Sequence, residues 1–328
     1  MKHRPFGRTG AQVSEIGLGC WQLGGSDWGD VSDEAAHVIL RTALDAGTTM
    51  FDTADVYGSG RSEELIGSFL KTQSQPIYVA TKLGRGSDPG WPENFTDAAI
   101  HKHTEASLKR LGVDALDLTQ LHCIPTDELR KGQVFESLTA LKSEGKIKDF
   151  GASVESMEEA LICLDQPELA SLQIIFNIFR QKPIDVLFER AKAQGVALIV
   201  RLPLASGLLS GKLKQGTQFA ENDHRNYNKD GQAFNVGETF AGLPYDLGVT
   251  LSDDLKSYVP DGETMAQWAL RWILDFDAVS VVIPGASRPE QAAANAAASG
   301  LPPLGDEAHA KLREFYQTRV AEHIRGPY

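Results

Sequence analysis

The chain has 328 residues, of which 42% are hydrophobic and 23% charged, a balance that fits a folded globule and argues against disorder. Its formal net charge of −12 leaves no basic excess to replace phosphate counterions, so a nucleic-acid partner is not expected. A chain of this length can bury a large core without staples, and an α/β barrel can fill it as one domain.

Short apolar runs alternate with amphipathic segments along the chain. Val13 to Gly19 reads as a strand, and Ser32 caps a helix running to Ala46. Thr48 to Asp52 is a strand, followed by a helix from Ser62 to Leu70 with Ser62 as its cap. The pattern repeats with strands at Ile77–Lys82, Leu116–His122, Ile147–Ser153, Leu172–Asn177, Val196–Arg201 and Val279–Ile283. The helices between and after them span Thr96–Leu111, Val134–Ser143, Met157–Leu164, Ile184–Ala193, Thr264–Leu274 and Pro289–Ala298. Strands that are near-continuous apolar runs are expected to have both faces buried, and a β-then-α order implies parallel neighbours. Eight such units predict a closed (β/α)₈ TIM barrel, with an open doubly wound sheet as the alternative. A segment from about 211 to 262 lacks an apolar period and is expected to be a long loop at the mouth of the barrel. Asp306 to Glu322 closes the chain as a further helix, so residues 1–328 read as one domain.

Several motifs fail. Gly17-Leu18-Gly19 begins a dinucleotide fingerprint, but Gln22 stands where its last glycine belongs. The run from Gly207 to Lys212 is one residue short of a P-loop and is followed by Leu213 in place of Ser or Thr. His101 and His103 lie two apart on a helix, face different ways and read as solvated. The three cysteines, Cys20, Cys123 and Cys163, show no C-x-x-C spacing, so no zinc ribbon or thioredoxin motif is present and no metal is expected. A sparse, odd set suits a reducing compartment. No stretch approaches the roughly 20 apolar residues of a membrane span, and no apolar run follows the charged start, so the cytoplasm is the expected location.

One constellation succeeds. Asp52, Lys82 and His122 end three consecutive strands, and Tyr57 follows Asp52 in its loop. Adjacent barrel strands bring their ends to one mouth, so an acid, an ammonium, an imidazole and a phenol converge there. A lysine ammonium lowers the pKa of a phenol beside it, and a carboxylate balances the lysine. An imidazole can orient a substrate oxygen, which gives a proton relay for a C=O group becoming C–O⁻. Acyl transfer lacks its nucleophile and base, and a single histidine is a poor metal site.

With these residues in place, the chain resembles the aldo-keto reductase superfamily over almost its whole length. FDTADVYGSGRSEELIG, ATKLG, HTEASLKRLGVDALDL, LHCIP, LKSEGKIKDFGAS, PLASGLLSGK and IPGASRPEQAAAN carry the resemblance, in order. It implies an NAD(P)H-dependent carbonyl reductase of bacterial type with Asp52, Tyr57, Lys82 and His122 as its catalytic tetrad. It implies that Ser153 and Gln173 hold the nicotinamide carboxamide, with Asn177 structural. Leu204, Ser206, Gly207 and Lys212 would wrap the pyrophosphate, and Gly285, Ser287, Arg288, Gln291 and Asn295 the adenosine end. Arg225, in the long loop, and Arg288 could reach a 2′-phosphate, so NADPH is expected over NADH. Two departures stand out: Val154 replaces the common Asn after Ser153, and Arg201 takes the place of an aromatic that stacks on the nicotinamide. Arg201 faces either that ring or a substrate carboxylate or phosphate. Trp21, Trp28 and Trp91 are expected to wall a pocket for a small-molecule carbonyl substrate. The resemblance extends to potassium-channel β-subunits, so a cofactor-binding regulatory subunit is the alternative. A Schiff-base role for Lys82 fits poorly beside Asp52, and a homo-oligomer is left open.

Overall fold

The computed structural model describes residues 1–25, 28 and 31–328. An antiparallel hairpin, β1 (His3–Pro5) and β2 (Gln12–Ser14), precedes the barrel. Eight strands then follow: β3 (Leu18–Gly19), β4 (Met50–Asp52), β5 (Tyr78–Leu83), β6 (Leu116–His122), β7 (Ile147–Ser153), β8 (Ser171–Ile175), β9 (Ala197–Arg201) and β10 (Val279–Val282). Each pairs in parallel with its sequence neighbour from β3 to β10. Closure comes from the backbone before and within β3. Val282 N donates to Glu15 O at 3.0 Å, Gly17 N to Val282 O at 2.8 Å, and Gly19 N to Pro284 O at 3.1 Å. The fold is the (β/α)₈ barrel expected from the strand and helix order.

Two sequence expectations change at the first two units. Val13 to Gly19 is not one strand: Gln12–Ser14 belongs to the hairpin, and the chain bends before Leu18. The hairpin seals the closed end of the barrel. Phe6 and Val13 pack into a cluster with Met50, Ala80, Leu118, Ala197, Ile199 and Val281, which point inward low in the barrel. Ser62 is not a cap either. Its helix runs Arg61–Leu70 from Gly60, and the buried Ser62 hydroxyl instead links Thr53 to the Cys20 carbonyl. Ser32 does cap its helix, Asp33–Asp45, by accepting from Ala35 N.

The segment after β9 is more ordered than its composition suggests. It holds a helix, Tyr245–Leu255, and buries Phe240, Leu243, Val249 and Leu251 in the main core. An apolar period exists there, but it is confined to one short helix and therefore hidden in a longer polar run. Its start is strained: Leu202, Ala205 and Ser206 all have positive φ, a backbone region costly for residues with a Cβ. The C-terminal helix spans Asp306–Phe315 and continues as irregular turns to His323. The last residues fold back. Arg325 Nε donates to Gly242 O at 2.9 Å, Arg180 Nη2 to Pro327 O at 3.0 Å, and Lys182 N to the Tyr328 hydroxyl at 2.9 Å. No helix among the described residues is long and apolar enough to cross a membrane.

Candidate active site

Strand periodicity positions the site. Alternate residues of a strand share a face, so one inward row changes character along its length. On β4 the row reads Met50 then Asp52; on β5, Ala80 then Lys82; on β6, Leu118, Gln120 and His122; on β9, Ala197, Ile199 and Arg201. The lower members form the apolar floor cluster, and the upper members are polar. The barrel is thus greasy at its closed end and ionisable at its mouth.

Asp52 and Lys82 are both buried and form an ion pair of 2.5 Å. Lys82 Nζ also donates to Thr53 O at 2.8 Å and lies 3.3 Å from the Tyr57 hydroxyl. The other Asp52 oxygen accepts from Gln173 Nε2 at 2.7 Å and from Gln120 Nε2 at 3.3 Å. Burial works against the Lys82 ammonium, but the Asp52 carboxylate and the Tyr57 oxygen outweigh it and raise its pKa. Lys82 is therefore charged at neutral pH. The expected lowering of the Tyr57 pKa is not the net result. Burial of the phenol dominates and raises its pKa, while Lys82 acts in the opposite direction. His122 is pushed well below its ordinary pKa by burial and by Arg85, Lys82 and Arg201, so its imidazole is neutral. The Tyr57 and His122 rings meet edge-on, 5.9 Å apart.

A cavity of about 400 Å³ opens over this group. Asp52, Tyr57, His122, Gln173 and Arg201 form one end, together with Trp21 and Trp28. Leu204, Ser206, Gly207, Lys212 and Arg225 line its middle, and Gly285, Ser287, Arg288, Gln291 and Asn295 its far end. Lys82 acts on this cavity from beneath, through Tyr57. Ser153 is buried and lies off the wall, with Oγ 3.9 Å from Cys123 Sγ. Trp91 is 48% exposed, donates from Nε1 to Gly84 O at 2.8 Å, and is not part of the wall. Its loop carries it outward onto Phe95.

Local bonding explains the shape of the wall. Ser206 Oγ donates to Glu238 O at 3.3 Å and accepts from Phe240 N at 3.1 Å, which holds the strained turn after β9. Gly207, at φ +100°, completes that turn, and a Cβ there would come into van der Waals contact with Leu213, 3.6 Å away. At the far end, Gln291 Oε1 accepts from Ser287 N and Oγ, and Asn295 Nδ2 donates to Gly285 O. Helix Pro289–Ala297 begins there with no side-chain cap, which turns its positive dipole end toward an anion. Arg225 is held bidentately by Asp223 and lies over the Trp28 and Phe219 rings. Trp21 stacks on Tyr57 at 5.9 Å and Trp28 meets Trp21 edge-on at 5.7 Å, giving an aromatic wall beside the phenol. Asn177 donates to Leu202 O and keeps a structural role.

Sequence reasoning missed Gln22, Arg85, Glu238, Thr264 and Gln267, which also line the cavity. Arg85 and Glu238 form a two-pronged ion pair across 153 residues. No local spacing announces such a pair.

The cavity carries unmet polar demand suited to a polar occupant. Gln22 Oε1, His122 Nδ1 and Arg201 Nε are buried and have no hydrogen-bond partner among the described residues. With Gly207 and Lys212 on the wall and the uncapped helix end, they fit a long, polar, anionic molecule such as a nicotinamide dinucleotide.

Comparison with known proteins agrees with this architecture. Residues 15–317 match the aldo/keto reductase family. The Bacillus subtilis aldo-keto reductase YhdN is 30% identical, over 100% of this chain and 97% of its own. An Escherichia coli NADH-specific methylglyoxal reductase is 28% identical, covering 96% and 98%. A probable voltage-gated potassium channel β-subunit of Arabidopsis thaliana is 28% identical, covering 93% of each chain. The solved glycerol dehydrogenase of Gluconobacter oxydans superposes with a TM-score of 0.77 at 28% identity, over 99% of this chain and 97% of that one. The chain belongs to the aldo/keto reductase family and is an NAD(P)H-dependent oxidoreductase.

Proposed function

We propose that this enzyme reduces a small aldehyde or ketone to the alcohol with NADPH, or runs the reverse oxidation, with Tyr57 as general acid and base. The observation that carries the reading is one continuous cavity. It joins a phenol held by a buried lysine to a wall of glycines, hydroxyls and an uncapped helix end.

Gly207, Ser206 and Lys212 would hold the pyrophosphate, and Ser287, Arg288, Gln291 and Asn295 the adenosine end. Gln173, already bonded to Asp52, would reach the carboxamide from the barrel. The bound dinucleotide supplies or accepts the hydride. The protein's part is the proton and the charge. Tyr57 gives its proton to the carbonyl oxygen as that oxygen gains negative charge. The phenolate left behind is stabilised by Lys82, whose own charge is balanced by Asp52. Neutral His122 offers an N–H to the same oxygen and fixes its direction without competing as a proton donor. The Trp21 and Trp28 rings present an apolar wall for a small organic carbonyl.

Steady-state oxidation of NADPH with a panel of aldehydes and ketones tests the reading. Tyr57→Phe should lower turnover by at least about 100-fold while NADPH still binds. Near wild-type turnover would remove Tyr57 from the acid role. A native protein that binds NADPH but reduces nothing would suit a regulatory subunit instead. Preference for NADPH rests on Arg288, exposed at the far end of the cavity, with Arg225 committed to Asp223. Arg288→Ala should weaken NADPH about tenfold or more and leave NADH binding unchanged, the scale of one charge-assisted bond to the 2′-phosphate. Equal loss for both cofactors would reassign Arg288 to a shared part of the molecule.

A further inference from the structure

A second buried charged group lies at the catalytic end of the cavity, and the proton relay does not use it. Arg201 ends β9 with its side chain 10% exposed. It donates from Nη2 to Val154 O at 3.2 Å, stands 3.5 Å from Glu238 Oε2, and leaves Nε with no hydrogen-bond partner among the described residues. Arg85 extends from the loop after β5 and shares Glu238, with bonds of 2.8 and 3.2 Å. Both guanidinium groups line the cavity beside His122. A buried guanidinium ordinarily spends its five N–H groups on hydrogen-bond partners. Glu155 lies further off, 3.7 Å from Arg85. Burial and the neighbouring Glu238 raise the pKa of its carboxyl. Glu238 is held down by Arg85 and Arg201 in spite of its own burial, and is ionised. The two guanidinium groups thus meet on Glu238 at a cavity that His122 also lines, and Arg201 Nε has no partner among the described residues.

We propose that Arg201, with Arg85 beside it, is a specificity site for an anionic substituent, so that the enzyme's substrates are aldehydes or ketones bearing a carboxylate or phosphate near the carbonyl. The inference rests on the carbonyl-reductase reading above and names its substrate class. A planar guanidinium fork matches both oxyanions, and the low-dielectric wall strengthens the contact. Neutral carbonyl compounds leave Arg201 unsatisfied and forgo that contact.

Paired substrates that differ only in the anion test this on the native enzyme. One pair is 4-oxobutanoate and its methyl ester; the other is glyceraldehyde 3-phosphate and glyceraldehyde. At least one anionic member should exceed its neutral partner tenfold or more in kcat/KM, chiefly through KM. The pair that shows the preference distinguishes carboxylate from phosphate. Succinate or inorganic phosphate should compete with the neutral aldehyde. In Arg201→Met the anionic preference should fall to threefold or less. Turnover of neutral aldehydes with no anionic preference and no anion inhibition overturns the proposal and leaves the reductase reading standing. A preference that survives Arg201→Met, while the variant's NADPH dissociation constant rises tenfold, also overturns it and gives Arg201 to the cofactor. Failure to reduce any carbonyl compound overturns both.

Discussion

Two buried charge clusters share the barrel mouth, and they are balanced in opposite ways. Asp52 and Lys82 are one acid and one base at 2.5 Å, with every remaining Asp52 contact supplied by neutral amides and Lys82 finished by a backbone carbonyl. In the other cluster Arg85 and Arg201 share the Glu238 carboxylate, with Glu155 standing further off, 3.7 Å from Arg85. The first is a closed unit whose charge serves only to act on Tyr57. The second lines the cavity through both arginines and leaves Arg201 Nε unmatched among the described residues. Burying a pair is tolerated when geometry and additional bonds compensate desolvation, and the compensation is complete in one cluster alone. The difference separates a group that sets a proton affinity from one able to receive a ligand.

The sharpest way to break the contrast is to unbalance the closed cluster. Lys82→Met leaves the Asp52 carboxylate buried without its cation. It should cost about 3–5 kcal/mol of stability by urea unfolding and reduce turnover at least about 100-fold, because the phenol loses its neighbouring charge. Intact stability would mean that Gln120 and Gln173 suffice for Asp52.

The open cluster should respond differently. Glu238→Gln removes the shared carboxylate and leaves two guanidiniums adjacent, with Arg85 partly exposed. A loss of about 3 kcal/mol is expected, near the lower bound for a broken buried pair. Added succinate or phosphate should restore part of the melting temperature in this variant and not in Lys82→Met. Equal rescue of both would erase the distinction.

The smallest effect concerns pH. The Glu155 carboxyl is raised to about 8 by burial and by Glu238, above its ordinary value of 4.5. Between those values the folded chain holds a proton that the unfolded chain has released. Stability from this group is therefore fully present below about pH 4.5 and is lost as pH rises towards 8. Glu155→Gln should flatten that decline in a series of unfolding curves from pH 5 to 8. An unchanged slope would place the titration elsewhere.

Much of the first cluster was legible in the sequence. Asp52, Lys82 and His122 each end an apolar run, and an ionisable residue at the end of a doubly buried strand has few places to go but the mouth. The second cluster was half legible. Arg201 ends a strand in the same way, but Glu238 lies in a segment whose local pattern is polar and whose burial comes from contacts formed far along the chain. The floor hairpin escaped for a different reason: Val13 to Gly19 is apolar enough for one strand, and nothing in its composition marks the bend. Trp91 shows the reverse error. An aromatic in a loop at the mouth invites a pocket role, but the indole nitrogen's bond to Gly84 turns the ring away. The direction of the Tyr57 shift was also misread, because neighbouring charge is visible in a sequence and the depth of burial is not.

The two chain ends differ as places to attach anything. The amino-terminal hairpin caps the side of the barrel remote from the chemistry, so a purification tag or surface anchor joined there leaves access to the mouth clear. The carboxyl-terminal residues are sewn through Arg325 to Gly242 and through Pro327 and Tyr328 to Arg180 and Lys182. Gly242 lies four residues beyond the carboxylate that Arg85 and Arg201 share. A bulky fusion at that end would pull on the strap carrying Glu238, and its first symptom would be altered substrate choice rather than misfolding.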